Sequence, residues 1–386
     1  MSAFSGGFAR ARALLSERFG HAAFRVHQLK VVGPLLAGRN VLAVLPTGAG
    51  KSLCYQLPAL MAGGLTLVIS PLISLMQDQV GALRRRGVAA AFLNSLLAPE
   101  DRRTILEAAL SGSLTLLYCA PEGLESLVGR LARAGRTVSL LAVDEAHCIV
   151  EWGNEFRPVY RRLDRYRYLL RDPVTIALTG SATPPTRAEI LRVLRMPDAE
   201  VVVTSFDRPN LRFRVEHVRD DRERFTRIRE LLHGVDGSVI VYTPTRRLTE
   251  VVTRALLRMG VRAAPYHAGL SAQTRRRVLR AFLADRAPVV VATSAFGMGI
   301  DKPDVRRVLH WGPPGTLESY YQEAGRAGRD GRSAECVVLW RPADFEWGDH
   351  AAEMRRYVES RACRRETLLA YFGERAPQCS GCDVCG

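Results

Sequence analysis

The sequence predicts an α/β fold: two domains, each a parallel sheet covered by helices, followed by a small C-terminal helical module. Three observations predict it. Short, continuously apolar stretches alternate with helical stretches along the 386 residues, the pattern of strands buried on both faces. Ten such stretches are too many for one small sheet. Four of the eight cysteines crowd the end of the chain, from Cys363 to Cys385, apart from the apolar pattern.

In chain order, the first-half strands are expected at 40–45, 65–70, 114–119, 140–143 and 175–179. The second-half strands are expected at 238–243, 262–266, 288–293, 305–311 and 335–339. Residues 203–214, with Asp207-Arg208-Pro209-Asn210, read as the crossing between the two halves, because Pro and polar neighbours suit a linker. A third unit is expected to begin at Pro342. The division is therefore 1–205, 206–341 and 342–386. Apolar residues make up 47% of the chain, which implies a folded protein, and no apolar run approaches the ~18 residues that span a membrane. Residues 1–12 lack the apolar core of a secretory signal. Lys and Arg number 55 against 39 Asp and Glu, a net charge of +16 that favours a polyanionic partner.

The first strand runs into Pro46-Thr47-Gly48-Ala49-Gly50-Lys51-Ser52. A glycine-bearing loop between strand and helix lets backbone N–H groups close around phosphate oxygens. Lys51 reaches the β/γ-phosphates and Ser52 holds Mg²⁺. The general pattern has Gly where this chain has Leu45. The strand at 140–143 ends in Asp144-Glu145-Ala146-His147, where Asp144 is expected to hold the metal through water and Glu145 to orient or deprotonate the attacking water. Together the two predict a nucleoside-triphosphate hydrolase.

Cys54, Cys119, Cys148 and Cys336 fall within apolar patterns and read as reduced core residues. Cys363, Cys379, Cys382 and Cys385 are spaced for a tetrahedral Zn²⁺ site. Disulfides and an iron–sulfur cluster are the alternatives that spacing leaves open.

With Gln322-Glu323-Ala324-Gly325-Arg326-Ala327-Gly328-Arg329-Asp330-Gly331 added, the motifs stand in the order of superfamily 2 helicases. More narrowly, the chain resembles the RecQ family of DNA helicases over about 19–385. The resemblance implies two RecA-like domains with ATP between them and a DNA strand across their top. It implies adenine recognition by Gln28, with Arg25 on the base face, although His21 stands where members often have Tyr. Ser70, in Ser70-Pro71-Leu72, and His267, in Tyr266-His267-Ala268-Gly269, are implied to face DNA. Thr179-Gly180-Ser181-Ala182-Thr183 resembles the motif coupling the domains. Trp152-Gly153-Asn154-Glu155-Phe156-Arg157 resembles the family's aromatic-rich loop, with Trp152, Phe156 and Arg157 linking DNA binding to hydrolysis; Asn154-Glu155 replaces the usual His-Asp. Gln322, Arg326 and Arg329 are implied to serve catalysis, the two arginines three apart on one helix face acting as arginine fingers. The terminal cysteines match the family's zinc module, with Arg364 and Arg365 as further phosphate contacts.

The expected activity is therefore ATP-dependent 3′→5′ translocation on single-stranded and partly duplex DNA, of the DNA repair and recombination type, with ATP, Mg²⁺ and Zn²⁺ as cofactors. The protein is expected to be a monomer, cytoplasmic and nucleoid-associated, without a membrane partner. The rivals are an RNA helicase of the same superfamily, against which the aromatic-rich loop and cysteines argue, and a non-hydrolysing nucleic-acid clamp or annealing protein, against which Lys51, Glu145, Arg326 and Arg329 argue. Larger family members continue into a winged-helix domain beyond the point where this chain ends, so hydrolysis on single strands is expected to exceed duplex separation.

Overall fold

Runs of Val, Leu, Ile and Ala buried at every position build the central strands. The computed structural model describes residues 7–46, 48–151, 158–297, 302–346, 350–376, 378–379 and 381–386. Two compact units divide it, Met1–Ser205 and Phe206–Gly386.

In the first, β1 (Val41–Val44), β2 (Leu65–Ile69), β3 (Ala90–Leu93), β4 (Leu116–Cys119), β5 (Val138–Val143), β6 (Val174–Thr179) and β7 (Glu200–Val203) form a seven-stranded sheet in the order β3-β4-β2-β5-β6-β1-β7. Every pairing is parallel. Parallel neighbours need crossovers, and helices supply them. Val41, Ala43, Val68, Leu140 and Ile176 share a core with Leu35, Tyr55 and Val80 of the helices Val26–Leu36, Leu53–Met61 and Ile73–Arg85. This order sets β1 and β5 on either side of β6, so the loops after β1 and β5 emerge side by side.

The second unit repeats the scheme. β8 (Leu211–His217), β9 (Ser238–Tyr242), β10 (Ala263–Tyr266), β11 (Val289–Ala292), β12 (Val305–His310) and β13 (Ala334–Trp340) form an all-parallel sheet in the order β10-β11-β9-β12-β13-β8. Pro265 lies in the edge strand β10, where a missing N–H costs least.

All ten expected strands are present. β3, β7 and β8 were not expected, and each is a sheet edge. In β8 the pattern alternates, with Leu211 and Phe213 buried and Arg212 between them exposed; β7 opens on Glu200, and β3, apolar throughout, is only four residues long. The expected crossing at 203–214 shrinks accordingly, since β7 ends at Val203 and β8 begins at Leu211.

The residues after 341 pack within the second unit. Phe372 stacks on Phe206 with ring centroids 4.5 Å apart, and Tyr371 Oη donates to Glu318 Oε1 at 2.6 Å. Cys382 makes a parallel bridge with Phe213, and Val215 N donates to Asp383 Oδ2 at 3.1 Å, so the tail adds to the open edge of β8. Among the described residues no helix is long and apolar enough to cross a membrane.

Candidate functional site

The loops after β1 and β5 are both tied to β6. Leu45 N donates to Thr179 O at 3.0 Å and Ala146 N to Leu178 O at 2.8 Å. Backbone pairing beyond the strand ends therefore fixes the phosphate loop and the acidic tetrad against one strand.

Within the phosphate loop, Ser52 is the N-cap residue of the helix Leu53–Met61, whose partial positive end favours an anion. Lys51 Nζ donates to Leu45 O at 3.2 Å. The helix Val26–Leu36 braces the loop from behind: Arg25 Nη1 donates to Gly48 O at 2.8 Å and His27 Nε2 lies 2.8 Å from Ala49 O. Gln28, only 5% exposed, accepts from Arg25 N at 2.9 Å and donates to Ala49 O at 3.4 Å. The pair expected to meet adenine thus holds the loop's carbonyls in this structure. Gly50 has φ +78°, which favours glycine, and a Cβ there would lie 2.6 Å from Gln28 Nε2, so the end of that side chain would have to move off Ala49 O. Thr47 lies outside the described residues.

In the tetrad, Asp144 is 5% exposed. Burial, with the Glu145 charge adding to it and Lys51 opposing, pushes its carboxyl up to about 7. Glu145 has φ 49°, a left-handed conformation that costs a non-glycine residue on the order of 1–3 kcal/mol, and its N–H donates to Asp144 Oδ1 at 3.1 Å. His147 Nδ1 lies 2.9 Å from Thr179 Oγ1. Thr179 Oγ1 also lies 3.1 Å from Ser181 O. The tetrad is thereby joined to the Thr179–Thr183 segment. Sequence reasoning assigned no role to His147 or His27; their spacing from the loops they touch is non-local and leaves no signal.

The second unit corrects one expectation. Arg326 and Arg329 do not share a helix face: the helix Leu317–Ala324 ends before them, and they lie in the turns that follow. Gly328, four residues past the helix end, has φ +55°, left-handed backbone that an α-helix does not contain, and a Cβ there would lie 2.8 Å from Arg332 O. Gln322 remains on that helix. Arg326, 7% exposed, donates through Nη1 to Gly297 O. The turn itself is held by residues read as linker. Arg208 donates to Gly325 O at 3.3 Å, Ala327 O at 3.0 Å and Gly328 O at 2.9 Å, and Asn210 Nδ2 donates to Gly328 O at 2.8 Å.

Of the expected DNA-facing residues, Ser70 is 1% exposed at the end of β2, and His267 is 4% exposed with Nε2 3.4 Å from Glu250 Oε1. Neither presents its side chain to solvent here. Trp152, Phe156 and Arg157 lie outside the described residues. Cys54, Cys119 and Cys336 are buried thiols, each pushed by burial up to about 12, as expected of core residues.

Cys363, Cys379, Cys382 and Cys385 converge, with their sulfurs all within 4.8 Å of one another and none bridged. Four sulfurs around one zinc at ~2.3 Å would stand ~3.8 Å apart, within easy reach. Burial opposes ionisation of Cys382, but the N–H groups of Arg364, Val384 and Cys385 turned to its sulfur lower the thiol to about 7. Burial raises the Cys363 thiol, and hydrogen bonds shared with Cys363 and Cys382 raise Cys385 to about 12. One thiolate forms readily and the next does not, so the set fits a divalent cation that supplies the missing charge. Arg364 and Arg365 are not phosphate contacts. Both are buried: Arg364 binds Asp383, Tyr357 O and Ser360 O, and Arg365 binds Asp207 and Leu211 O, clamping the module to β8.

The chain thus combines a parallel-sheet unit, whose phosphate loop and acidic tetrad stand on adjoining strand ends, with a second parallel sheet, the architecture of RecA-like helicase domains. Three family models match the chain: DEAD/DEAH box helicase over 25–191, helicase conserved C-terminal domain over 223–331, and RecQ zinc-binding over 348–386. The chain is 42% identical to the ATP-dependent DNA helicase RecQ of Haemophilus influenzae over 393 residues, covering 97% of this chain and 63% of that protein. To the probable ATP-dependent DNA helicase RecS of Bacillus subtilis it is 40% identical over 342 residues, covering 88% of this chain and 68% of the relative. The chain belongs to the RecQ family of helicases. It spans 63%, 61% and 66% of the lengths of three RecQ relatives that it matches. Among solved structures, S. cerevisiae Dbp5 bound to RNA and ADP BeF3 superposes with a TM-score of 0.71 at 17% identity, covering 96% of this chain and 93% of that one, a likeness of fold alone.

Proposed function

We propose that this chain is an ATP-dependent DNA translocase that moves 3′→5′ on single-stranded and partly duplex DNA, in DNA repair and recombination. The observation that carries the reading is that the phosphate loop, through Leu45 N, and the acidic tetrad, through Ala146 N and His147 Nδ1, are both tied to the end of β6, in a chain 42% identical to a DNA helicase. Thr47, Gly48, Ala49, Gly50 and Lys51 bind the triphosphate, Arg25 and Gln28 hold the loop and meet the base, and Glu145 orients the attacking water. Ser52 and Asp144 would hold Mg²⁺, which when bound neutralises phosphate charge. Gln322, Arg326 and Arg329 stabilise charge developing on the γ-phosphate. Ser70, Trp152, Phe156, Arg157 and His267 serve the DNA strand. Residues 1–205 form the ATP-binding domain, 206–341 the second RecA-like domain and 342–386 the zinc module. The protein acts as a monomer in the cytoplasm, at the nucleoid. The test is ATP hydrolysis with single-stranded DNA or RNA of equal length. DNA is expected to stimulate severalfold and RNA weakly; equal or stronger stimulation by RNA overturns the reading in favour of an RNA helicase.

A further inference from the structure

The helix Ala272–Leu283, with sequence AQTRRRVLRAFL, carries four arginines and no acid. Every other α-helix with two or more Arg or Lys residues also carries an Asp or Glu. Several of those acids pair with arginines of their own helix: Arg227 with Glu230, Arg355 with Glu359, Arg356 with Glu353, and Arg192 with Glu189. Arg276, Arg277, Arg280 and Arg286 are exposed and form no ion pair among the described residues. Together with Gln273 they line an open cleft of about 550 Å³. The acid next in sequence, Asp285, is turned to Lys302 Nζ at 2.9 Å and Ser238 Oγ at 3.3 Å. Four like charges crowded together destabilise the isolated protein, and the excess is relieved only by an anion.

The chemistry of the cleft selects the anion. Guanidinium groups suit phosphate oxygens, which they meet with paired N–H donors. Arg276 and Arg280 are separated by ~6 Å of helix rise, spread along a rod and not gathered around a point, which suits successive phosphates of a polyanion better than one small anion. No aromatic residue lines the cleft, so unpaired bases have nothing to stack on, whereas single-strand sites combine cations with aromatic platforms. The helix contacts β10, at one edge of the sheet, while the cysteine module adds to β8 at the other. It starts beyond the C-terminal end of β10 and runs back toward the start of β11, so Arg280 and Arg286 lie progressively farther from the strand end that carries His267.

We infer that Gln273, Arg276, Arg277, Arg280 and Arg286 form a second DNA surface that binds the phosphate backbone of duplex DNA, separate from the single-strand path. The inference rests on the reading that the chain works on DNA, but not on its hydrolysing ATP. The test is the triple variant R276A/R277A/R280A, with binding of a blunt duplex and of a single strand of equal length measured by fluorescence anisotropy over a range of salt without nucleotide. Alanine keeps the helix, and the triple lysine variant keeps the charge. Duplex affinity should fall at least tenfold at low salt. The slope of log K against log salt should flatten by about 2.7, at 0.9 for each of three phosphate contacts. Single-strand binding and its stimulation of hydrolysis should be unchanged, and the lysine variant should keep most of the slope. An unchanged duplex slope, or equal losses on duplex and single strand, overturns the inference, as does displacement of the duplex by inorganic triphosphate at a concentration that leaves single-strand binding intact. A wild-type chain that binds duplex through these arginines but hydrolyses no ATP would overturn the proposed function and leave this surface standing.

Discussion

Arg208→Ala tests whether the turn bearing Arg326 and Arg329 is held in place from outside its own helix. The guanidinium spans three carbonyls, those of Gly325, Ala327 and Gly328, at 3.3, 3.0 and 2.9 Å. Gly328 O keeps Asn210 Nδ2 at 2.8 Å after the substitution, so two carbonyls are orphaned, one of them from a long contact. With hydrogen bonds to charged groups worth roughly 1.5–3 kcal/mol, one good and one long contact amount to about 2–3 kcal/mol against the ordered turn. If turnover requires that turn, kcat falls by as much as roughly 30- to 150-fold, at about 1.4 kcal/mol per factor of ten. ATP affinity should not move, because the phosphate loop belongs to the other unit. Arg208→Lys should rescue little, since an ammonium cannot fork to separate carbonyls. Single-turnover hydrolysis, equilibrium ATP binding and thermal melting separate the outcomes. A lowered melting temperature with wild-type kcat would reduce Arg208 to a structural clamp, and lost ATP affinity with unchanged kcat would refute the reasoning outright.

Lys51→Ala should abolish hydrolysis and weaken ATP binding, whereas Glu145→Gln should bind ATP normally and lose turnover; wild-type turnover in the latter removes Glu145 as the group that handles water. Gly50→Ala forces a Cβ to within 2.6 Å of Gln28 Nε2 at a φ of +78°. Its ATP affinity should drop about tenfold, from strain on the order of 1–3 kcal/mol, and titration giving wild-type affinity would contradict the bracing of the loop by Gln28. Elemental analysis should find about one zinc per chain, and chelation or Cys382→Ser should lower the melting temperature while sparing ATP binding, because metal binding contributes folding free energy to so small a unit. Iron with visible absorbance in its place would overturn the zinc assignment.

The sequence by itself determined the central strands, the two sheets and the chemistry of the loops. Buried parallel strands must be apolar at every position, and a phosphate loop or a cysteine quartet is a local pattern whose spacing is its function. Three edges escaped it: β7 and β8 have one neighbour each and carry polar residues among their apolar ones, and β3 is a four-residue apolar stretch too short to stand out. Partnerships between distant segments were decided only by the tertiary structure. That His147 meets Thr179, that Gln28 and His27 of the helix Val26–Leu36 face Ala49, and that Arg208 serves carbonyls 117 to 120 positions away follow from which segments the fold sets side by side. Arg364 and Arg365 carry the same lesson in reverse. Beside a metal ligand, an arginine pair reads as a phosphate contact, yet burial against Asp383 and Asp207 makes it a clamp. An arginine's sequence records its charge, but whether that charge meets solvent or a buried carboxylate depends on which surfaces the fold brings together.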